Sequence, residues 1–327
     1  MTTPVTILGG GVAGLCVAAE LSSRNVPVTI CDPEPGPGPH ACSWWAGGML
    51  APFCEGETAE EPVVRLGQDA ASWWAHHGVN VVQNGSLVIT LERDRRELDR
   101  FARRTEGHTR IDGARLVELE PDLEGRFDRA LFFAQEAHIS PRAALEGLNR
   151  TLRERNVRFT TAPDSTDGQV IDCRGLAARD RLPDLRGVKG EMVVLRAPDL
   201  ALHRPVRLLH PRFPLYIVPR GDGVFMLGAT QIESSERSRA TVRSVMELLS
   251  AAYALHPAFG EAELLEIGVD ARPAFPDNLP RIRRHGETLF INGLFRHGFL
   301  LAPAMARMAA DFLLNGTTPE VMDENHG

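Results

Sequence analysis

The sequence predicts an α/β protein in two parts: a parallel-sheet domain assembled from separated segments, and an inserted, largely antiparallel β domain that also carries helices. Three observations predict it. The first thirty-two residues read as strand, glycine turn, helix, strand and acid. From Gly190 onward the chain becomes a series of short strands with turn signals such as Gly221-Asp222-Gly223. Near the end, the strand Leu289-Phe290-Ile291-Asn292 runs through a glycine-bounded turn, Gly293 to Phe299, into a helix expected over about Leu301 to Leu314. That last pair returns the chain to the first part. The expected division is 1–76, 138–182 and 266–327 for the parallel-sheet part, and 77–137 and 183–265 for the inserted part.

Val5-Thr6-Ile7-Leu8 is the opening strand, followed by Gly9-x-Gly11-x-x-Gly14 and an alanine- and leucine-rich helix to Leu21. In this Rossmann-like arrangement Gly9 makes the tight turn, Gly11 lets a pyrophosphate approach the backbone, and Gly14 lets helix and strand pack closely. The helix N-terminus offers its free amides to the phosphates. Asp32, after the strand Val26-Pro27-Val28-Thr29-Ile30-Cys31, accepts from ribose hydroxyls and repels a 2′-phosphate, which points to NAD or FAD rather than NADP.

Pro33 to Pro39 alternates proline and glycine, apart from Glu34, and is a loop. All four tryptophans (Trp44, Trp45, Trp73, Trp74) follow within residues 44–74, either as core packing or with Trp44 or Trp45 walling a cofactor pocket. Val79 to Leu91 alternates around Asn84-Gly85 and predicts a hairpin. Helices are expected over about Asp94–Arg104, Gly113–Pro121 and Pro141–Arg155, the last with Ser140 as N-cap and Pro141 at N1. Strands are expected at Arg129–Ala134, Val157–Phe159 and Val170–Cys173, with a turn at Arg174-Gly175. In the later part, strands at Met192–Leu195, Leu215–Val218 and Val224–Leu227 precede an amphipathic helix over about Thr241–Leu255, and Asp270-Ala271-Arg272-Pro273 leads into a proline-rich loop.

Composition excludes several classes. The 327 residues carry a formal charge of -7, which disfavours nucleic acid as a partner. The run Glu92-Arg93-Asp94-Arg95-Arg96-Glu97 alternates in sign and reads as a solvated helix face. Five cysteines, none in a C-x-x-C pair, support neither a disulfide framework nor a zinc site and fit a reducing, cytoplasmic setting. The stretch Phe299 to Leu314 contains Arg307 and Asp311 and is too short to span a bilayer, so no membrane is expected.

Several stretches together resemble the FAD-dependent D-amino acid oxidase superfamily, and within it the glycine oxidases tied to thiamine thiazole synthesis. They are Gly9 to Gly14, Ser43 to Pro52, Ala137-His138-Ile139-Ser140-Pro141-Arg142 and Tyr216-Ile217-Val218-Pro219-Arg220. Gly228-Ala229-Thr230, Ala271 to Asp277 and Gly293 to Pro303 continue the series in family order. The resemblance implies FAD, held non-covalently: Trp45 stands where some relatives carry a flavin-linking histidine, and no cysteine follows Cys173. It assigns the cofactor to Gly9, Gly11, Val12, Ala13, Gly14, Asp32, Ser43, Ala46, Gly47, Gly48, Met49, Cys173, Gly175, His297, Gly298, Phe299 and Leu300. Substrate falls to Arg272, Tyr216, Arg296 and Gln231. Three departures bear on substrate preference: His297 where Asn is frequent, Gln231 where an apolar residue is frequent, and the apolar Pro214-Leu215.

The implied reaction is oxidation of glycine or a small secondary amine such as sarcosine to its imine, by hydride transfer to flavin N5, with O2 reoxidation to hydrogen peroxide. Arg272 suits the carboxylate because its planar fork matches two oxygens; otherwise it pairs with Asp270 or Asp277. Tyr216 is one of only two tyrosines and the candidate second donor, or else a core tyrosine. Arg296 orients substrate or lines the entrance, or else contacts carbonyls of the glycine turn. His297 reads as a hydrogen-bonded structural histidine. No general base is required if the amine binds neutral, and the amides around Gly298, Phe299 and Leu300 suit the charge of the reduced flavin. The imine is hydrolysed or passes to a thiazole-forming partner enzyme. A dehydrogenase of a D-amino acid or proline, and a non-catalytic flavoprotein subunit, are the competing readings; self-association into a homo-oligomer is left open.

Overall fold

The structure, a computed structural model, describes residues 3–34, 36–163, 168–210 and 214–323. In chain order it begins with β1 (Val5–Leu8), α1 (Val12–Ser23), β2 (Val28–Cys31), β3 (Met49–Leu50), α2 (Pro52–Glu55), α3 (Glu61–Gly67) and α4 (Ala70–His76). Then come β4 (Ser86–Thr90), α5 (Arg95–Arg104), β5 (Thr109–Asp112), α6 (Gly113–Leu119), β6 (Arg129–Phe133), β7 (Ala137–His138) and α7 (Pro141–Glu154). The middle carries β8 (Arg158–Thr160), β9 (Gln169–Asp172), β10 (Arg186–Arg196), β11 (Val206–Leu209), β12 (Leu215–Gly221), β13 (Val224–Gly228) and β14 (Ile232–Glu233). Last are α8 (Val242–Leu255), β15 (Glu263–Ala274), β16 (Arg281–His285), β17 (Thr288–Asn292), α9 (Gly298–Asn315) and β18 (Met322–Asp323).

Two large sheets and a two-stranded one, β3-β7, result among the described residues, a mixed α/β architecture. The first has seven strands in the order β18-β16-β17-β9-β1-β2-β8. Its central strands β17, β9, β1, β2 and β8 are parallel. Leu8 lies opposite both Cys31 and Asp172, so β1, β2 and β9 end level. The loops after Leu8, Cys31, Asp172 and Asn292 therefore leave at one edge, the carboxyl edge where open α/β sheets bind ligands. The second sheet runs β14-β10-β13-β12-β11-β4-β6-β5, with β15 along the other side of β10. It is antiparallel except where β11 meets β4. The strands of each sheet bury their own apolar cluster.

α1 is buried from Val12 to Leu21 because it lies between the first sheet and α9. Gly14 permits this: a Cβ there would collide with the carbonyl oxygen of Gly9. α9 starts at Gly298, three residues before the expected Leu301, so Pro303 falls inside the helix rather than at its start. A proline has no amide to give the carbonyl four residues back. That carbonyl, Phe299 O, instead accepts from Trp74 Nε1 at 2.9 Å. The neighbouring Trp73 donates to Glu20 Oε1 at 2.6 Å. Trp73 and Trp74 are thus core residues, whereas Trp44 and Trp45 lie under the Arg142 guanidinium, 4.8 and 5.3 Å from it.

Other expectations give way to tertiary pairing. Asn84-Gly85 closes no hairpin: Val82 bridges His138, while β4 pairs with β6 and β11. Asp270 to Pro273 is not a lead into a loop but part of the twelve-residue β15. Residue 266, expected as a boundary, lies inside that strand, and β7 crosses 137/138 to pair with β3. Ser140 occupies the N-cap of α7 without a capping side-chain bond. Part of the proline-glycine loop, Pro35, lies outside the described residues.

Trp74→Phe orphans the Phe299 carbonyl and is expected to cost about 1–3 kcal/mol, measured by urea unfolding of the holoprotein. Pro303→Ala restores a backbone donor, so the same substitution should cost less in that background. Equal costs in both backgrounds would show that the indole bond does not replace the missing amide.

Candidate active site

Two helices begin side by side at the carboxyl edge of the first sheet. Leu15 is the first amide of α1 to donate back, to Gly11 O at 3.0 Å; Leu301 does the same in α9, to His297 O at 2.8 Å. The amides of Val12, Ala13 and Gly14, and of Gly298, Phe299 and Leu300, precede these and have no side-chain cap. The helices touch at their starts, where a Cβ on Gly298 would sit 3.3 Å from Val12 Cγ1. Ser43 is buried, and its hydroxyl has no hydrogen-bond partner among the described residues. It faces Gly11, whose Cβ position is 3.6 Å away. Asp32 accepts from Gly10 N at 2.6 Å, which fixes its carboxylate over the glycine turn. Cys173 O sits 2.6 Å from the Cβ position of Gly9, so the third strand's loop closes against the same turn; Gly175 O accepts from Asn292 Nδ2 at 2.8 Å. Uncapped amides, an orphaned hydroxyl and glycine-lined space fit the pyrophosphate and ribose of a dinucleotide.

The segment Ala46-Gly47-Gly48-Met49 crosses from this edge to the second sheet. Arg220 pins it, donating to Gly47 O at 2.7 Å and Ile139 O at 3.1 Å. Burial lowers the Arg220 pKa to about 10, with Tyr216 opposing and Arg142 adding to the shift. Met49 pairs with His138. Gly47 and Gly228 both face Tyr216: Cβ positions there would lie 2.7 Å from ring atom Cε2 and 2.5 Å from the hydroxyl. The Tyr216 hydroxyl makes no hydrogen bond among the described residues, and burial raises its pKa, so it remains a donor; Arg272, Arg207 and Arg220 only partly offset this.

Arg272 lies over Gly190 and donates to Thr230 O at 3.1 Å. Its two sequence neighbours of opposite charge are occupied elsewhere. Asp270 binds Arg237 at 2.5 Å, and Asp277 binds Arg281. No carboxylate lies within ion-pair distance of Arg272 among the described residues. Burial lowers its pKa and Arg296 adds to that, yet guanidinium stays charged throughout the working range. A partly buried cation without a counter-charge is stabilised when an anion joins it.

Glu55, at the end of α2, gathers a second charged group. It accepts from Arg207 at 2.9 Å, from Arg296 at 2.9 and 2.7 Å, and from His297 Nε2 at 2.9 Å. Burial alone would raise the Glu55 pKa, but Arg296, the His297 hydrogen bond and Arg207 hold it well below the usual carboxylate range. Since Glu55 is ionised, His297 donates through Nε2 and carries its lone pair on Nδ1. Burial keeps that imidazole neutral against the pull of Glu55, and Nδ1 is buried without a partner. Arg296 also donates to Thr58 Oγ1 at 2.6 Å, so it contacts an acid and a hydroxyl rather than carbonyls of the glycine turn. Behind Glu55, buried Glu136 accepts from Cys54 N at 2.7 Å and from Ser86, and burial raises its pKa to about 7.

Sequence-predicted residues thus fall into three groups. Those assigned to the cofactor gather at the sheet edge, and Arg272 and Tyr216 lie together on the second sheet. Gln231 is exposed, one residue beyond the Thr230 carbonyl that Arg272 binds. Glu55 and Arg207 were not legible, and Arg220, quoted only within its family stretch, had no role assigned: each lies far in sequence from what it holds. Only its place at the end of the apolar Met49-Leu50-Ala51-Pro52-Phe53-Cys54 run marks Glu55.

Glu55→Gln leaves Arg207 and Arg296 uncompensated and is expected to cost about 3–5 kcal/mol of stability. Because the folded pKa is depressed, the Glu55 contribution is complete above its ordinary value of 4.5 and fades as pH falls through the folded value. The variant should therefore flatten the acid limb of a stability–pH curve. An unchanged limb would show that the carboxylate gains nothing from its partners.

Comparison with known proteins agrees with this geometry. Residues 4–312 match the model of the DAO family, FAD dependent oxidoreductases. A ThiO protein of Rhizobium etli, whose name proposes a thiamine biosynthesis oxidoreductase, is 53% identical over 315 residues, covering 95% of this chain and 96% of its own. A glycine oxidase of Pseudomonas putida is 27% identical, covering 98% of this chain and 96% of its own. The crystal structure of a glycine oxidase from Bacillus cereus has the same fold, with a TM-score of 0.80 at 22% identity over 97% of this chain and 96% of that one. No helix among the described residues is long and apolar enough to cross a membrane. The chain belongs to the DAO family of FAD-dependent oxidoreductases.

Proposed function

We propose that the protein oxidises glycine, or a small secondary amine such as sarcosine, to its imine. The observation that carries this reading is Arg272: a partly buried guanidinium with no carboxylate partner among the described residues, near a partly buried phenol that makes no hydrogen bond among them. A substrate carboxylate supplies the missing anion, taking a forked pair of bonds from Arg272 and one from Tyr216. Gly47 and Gly228 leave little room beside the Tyr216 ring, which favours a small substrate. Bound FAD would supply the redox chemistry, accepting one hydride (two electrons and one proton) from the α-carbon while the nitrogen gives up the second proton, so that O2 takes up both electrons and both protons as hydrogen peroxide. No side chain of this reading has to remove a proton, provided the amine is neutral.

In the same reading Gly9, Gly11, Val12, Ala13 and Gly14 hold the pyrophosphate, Asp32 the ribose, and Ser43, Ala46, Gly47, Gly48 and Met49 the ring side. Cys173 and Gly175 close the nucleotide end. The start of α9, from His297 to Leu300, offers amides where the reduced cofactor carries charge. Glu55 leaves Arg296 little charge for substrate, so Arg296 shapes the site rather than clamping the carboxylate. Gln231 would reach substrate only by turning in from the surface. The first sheet with its helices forms the FAD-binding domain and the second the substrate domain. The five free cysteines fit a cytoplasmic setting, and the naming of the Rhizobium etli relative for thiamine biosynthesis favours delivery of the imine to a thiazole-forming partner.

Arg272→Ala should keep its FAD while kcat/KM for glycine falls by about 10²–10³-fold, the scale of losing one partner of a buried charged pair. Unchanged turnover would remove Arg272 from the site. Acid precipitation should release the flavin into the supernatant; yellow precipitate would contradict non-covalent binding. Glycine-dependent oxygen uptake with stoichiometric peroxide is expected, whereas flavin reduction without peroxide would favour a dehydrogenase.

A further inference from the structure

Arg272 reaches its one acceptor by crossing a strand. It belongs to β15, on one side of β10, and Thr230 lies along the other side. Arg272 pairs with Val188 and Asp270 with Gly190, so the Arg272 side chain leaves on the face of Val188 and Gly190. Gly190 makes the crossing possible, since a Cβ there would collide with the guanidinium. The side chains of Lys189 and Glu191 leave on the opposite face. Glu191 has no exposure there, and Lys189, the chain's only lysine, is 6% exposed.

Thr230 links the two faces. Its carbonyl accepts from Arg272 Nη1 at 3.1 Å. Its hydroxyl donates to Glu191 Oε2 at 3.1 Å and accepts from Glu191 N at 2.9 Å, and its amide donates to Glu191 O at 3.2 Å. The other carboxylate oxygen, Glu191 Oε1, accepts from Thr241 N at 3.0 Å. One side chain therefore grips both ends of the segment 230–241, between β13 and α8. Lys189 holds its middle: Nζ donates to Arg239 O at 2.5 Å and to Glu236, and lies 3.5 Å from Glu191 Oε1. A carboxylate without exposure is costly unless its partners are fixed. Here the partners it fixes carry the acceptor of Arg272.

We propose, resting on the reading of Arg272 as the carboxylate clamp, that Glu191 is a positioning residue: it locks Thr230 through the hydroxyl, and the locked carbonyl aims the Arg272 fork. A guanidinium has five donors in one plane, so a fixed bond at Nη1 sets the plane in which the others meet a substrate carboxylate. Lys189 balances the charge of Glu191.

The test is anaerobic flavin reduction of the FAD-loaded protein at graded glycine, which separates the glycine Kd from the limiting rate. Thr230→Val removes the hydroxyl and keeps the size of the side chain. Its glycine Kd is expected to rise about tenfold, the scale of one hydrogen bond to a charged group. The limiting rate should hold, because a carboxylate contact serves substrate and transition state alike. Thr230→Ser, which keeps the hydroxyl, should recover most of the affinity. Glu191→Gln, with one acceptor oxygen in place of two, should raise Kd in the same direction, and it carries the comparison alone if Thr230→Val loses its flavin. In an Arg272→Ala background Thr230→Val should add no further loss. A wild-type glycine Kd in both Thr230→Val and Glu191→Gln, or an equal added loss on top of Arg272→Ala, overturns the positioning role even where Arg272→Ala itself weakens glycine. A glycine Kd unchanged by Arg272→Ala overturns the clamp, and the positioning role with it.

Discussion

Charge balance among partly buried arginines constrains this molecule more than any other requirement. Arg207, Arg220, Arg272 and Arg296 all lie near Tyr216 or near one another, and each needs an acceptor. Glu55 serves Arg207 and Arg296, and carbonyls at Gly47 and Ile139 serve Arg220. Arg272 receives one carbonyl, from Thr230. The remaining positive charge is therefore concentrated where a substrate carboxylate can answer it. A single acid at the end of a four-residue helix thus sets which arginine is left over.

Glu55 also joins the two sheets. Arg207 comes from β11 of the second sheet, while Arg296 and His297 precede α9, which packs on the first. The same acid that neutralises the arginines consequently fixes the start of α9 against the substrate side. Gly47 and Gly228 act in the same region by their lack of side chain, letting the Tyr216 ring lie between two backbone segments. In the proposed reading, parallel strands deliver the cofactor end and antiparallel strands the carboxylate end.

Local periodicity made much of this legible. The glycine turn, Asp32 and the helix after it are contiguous, so a few residues carry the whole signal. α5, α7 and α8 follow their apolar spacing, with Leu98 and Phe101 buried under the charged run of α5. What escaped was settled by distant partners. Asn84-Gly85 has hairpin chemistry, but Asn84 Nδ2 donates to His203 O and Arg204 Nη1 donates to Asn84 O, so the segment is tied to a distant loop instead of a neighbouring strand. Pro303 reads as a helix start, yet the Trp74 indole supplies the donor that lets α9 begin earlier. Arg272 and Tyr216 were reachable through their family pattern. Glu55 was not, because its role exists only once three segments far apart in the chain converge.

The central claim, that a carboxylate completes the charge balance at Arg272, is tested most directly by anaerobic reduction of the bound flavin with glycine and with glycinamide. The amide keeps the amine and the α C–H but has no negative charge. Glycine should bleach the flavin, and glycinamide at the same concentration should leave it oxidised or reduce it at least about a hundredfold more slowly. Equal rates of bleaching by the two would contradict the account.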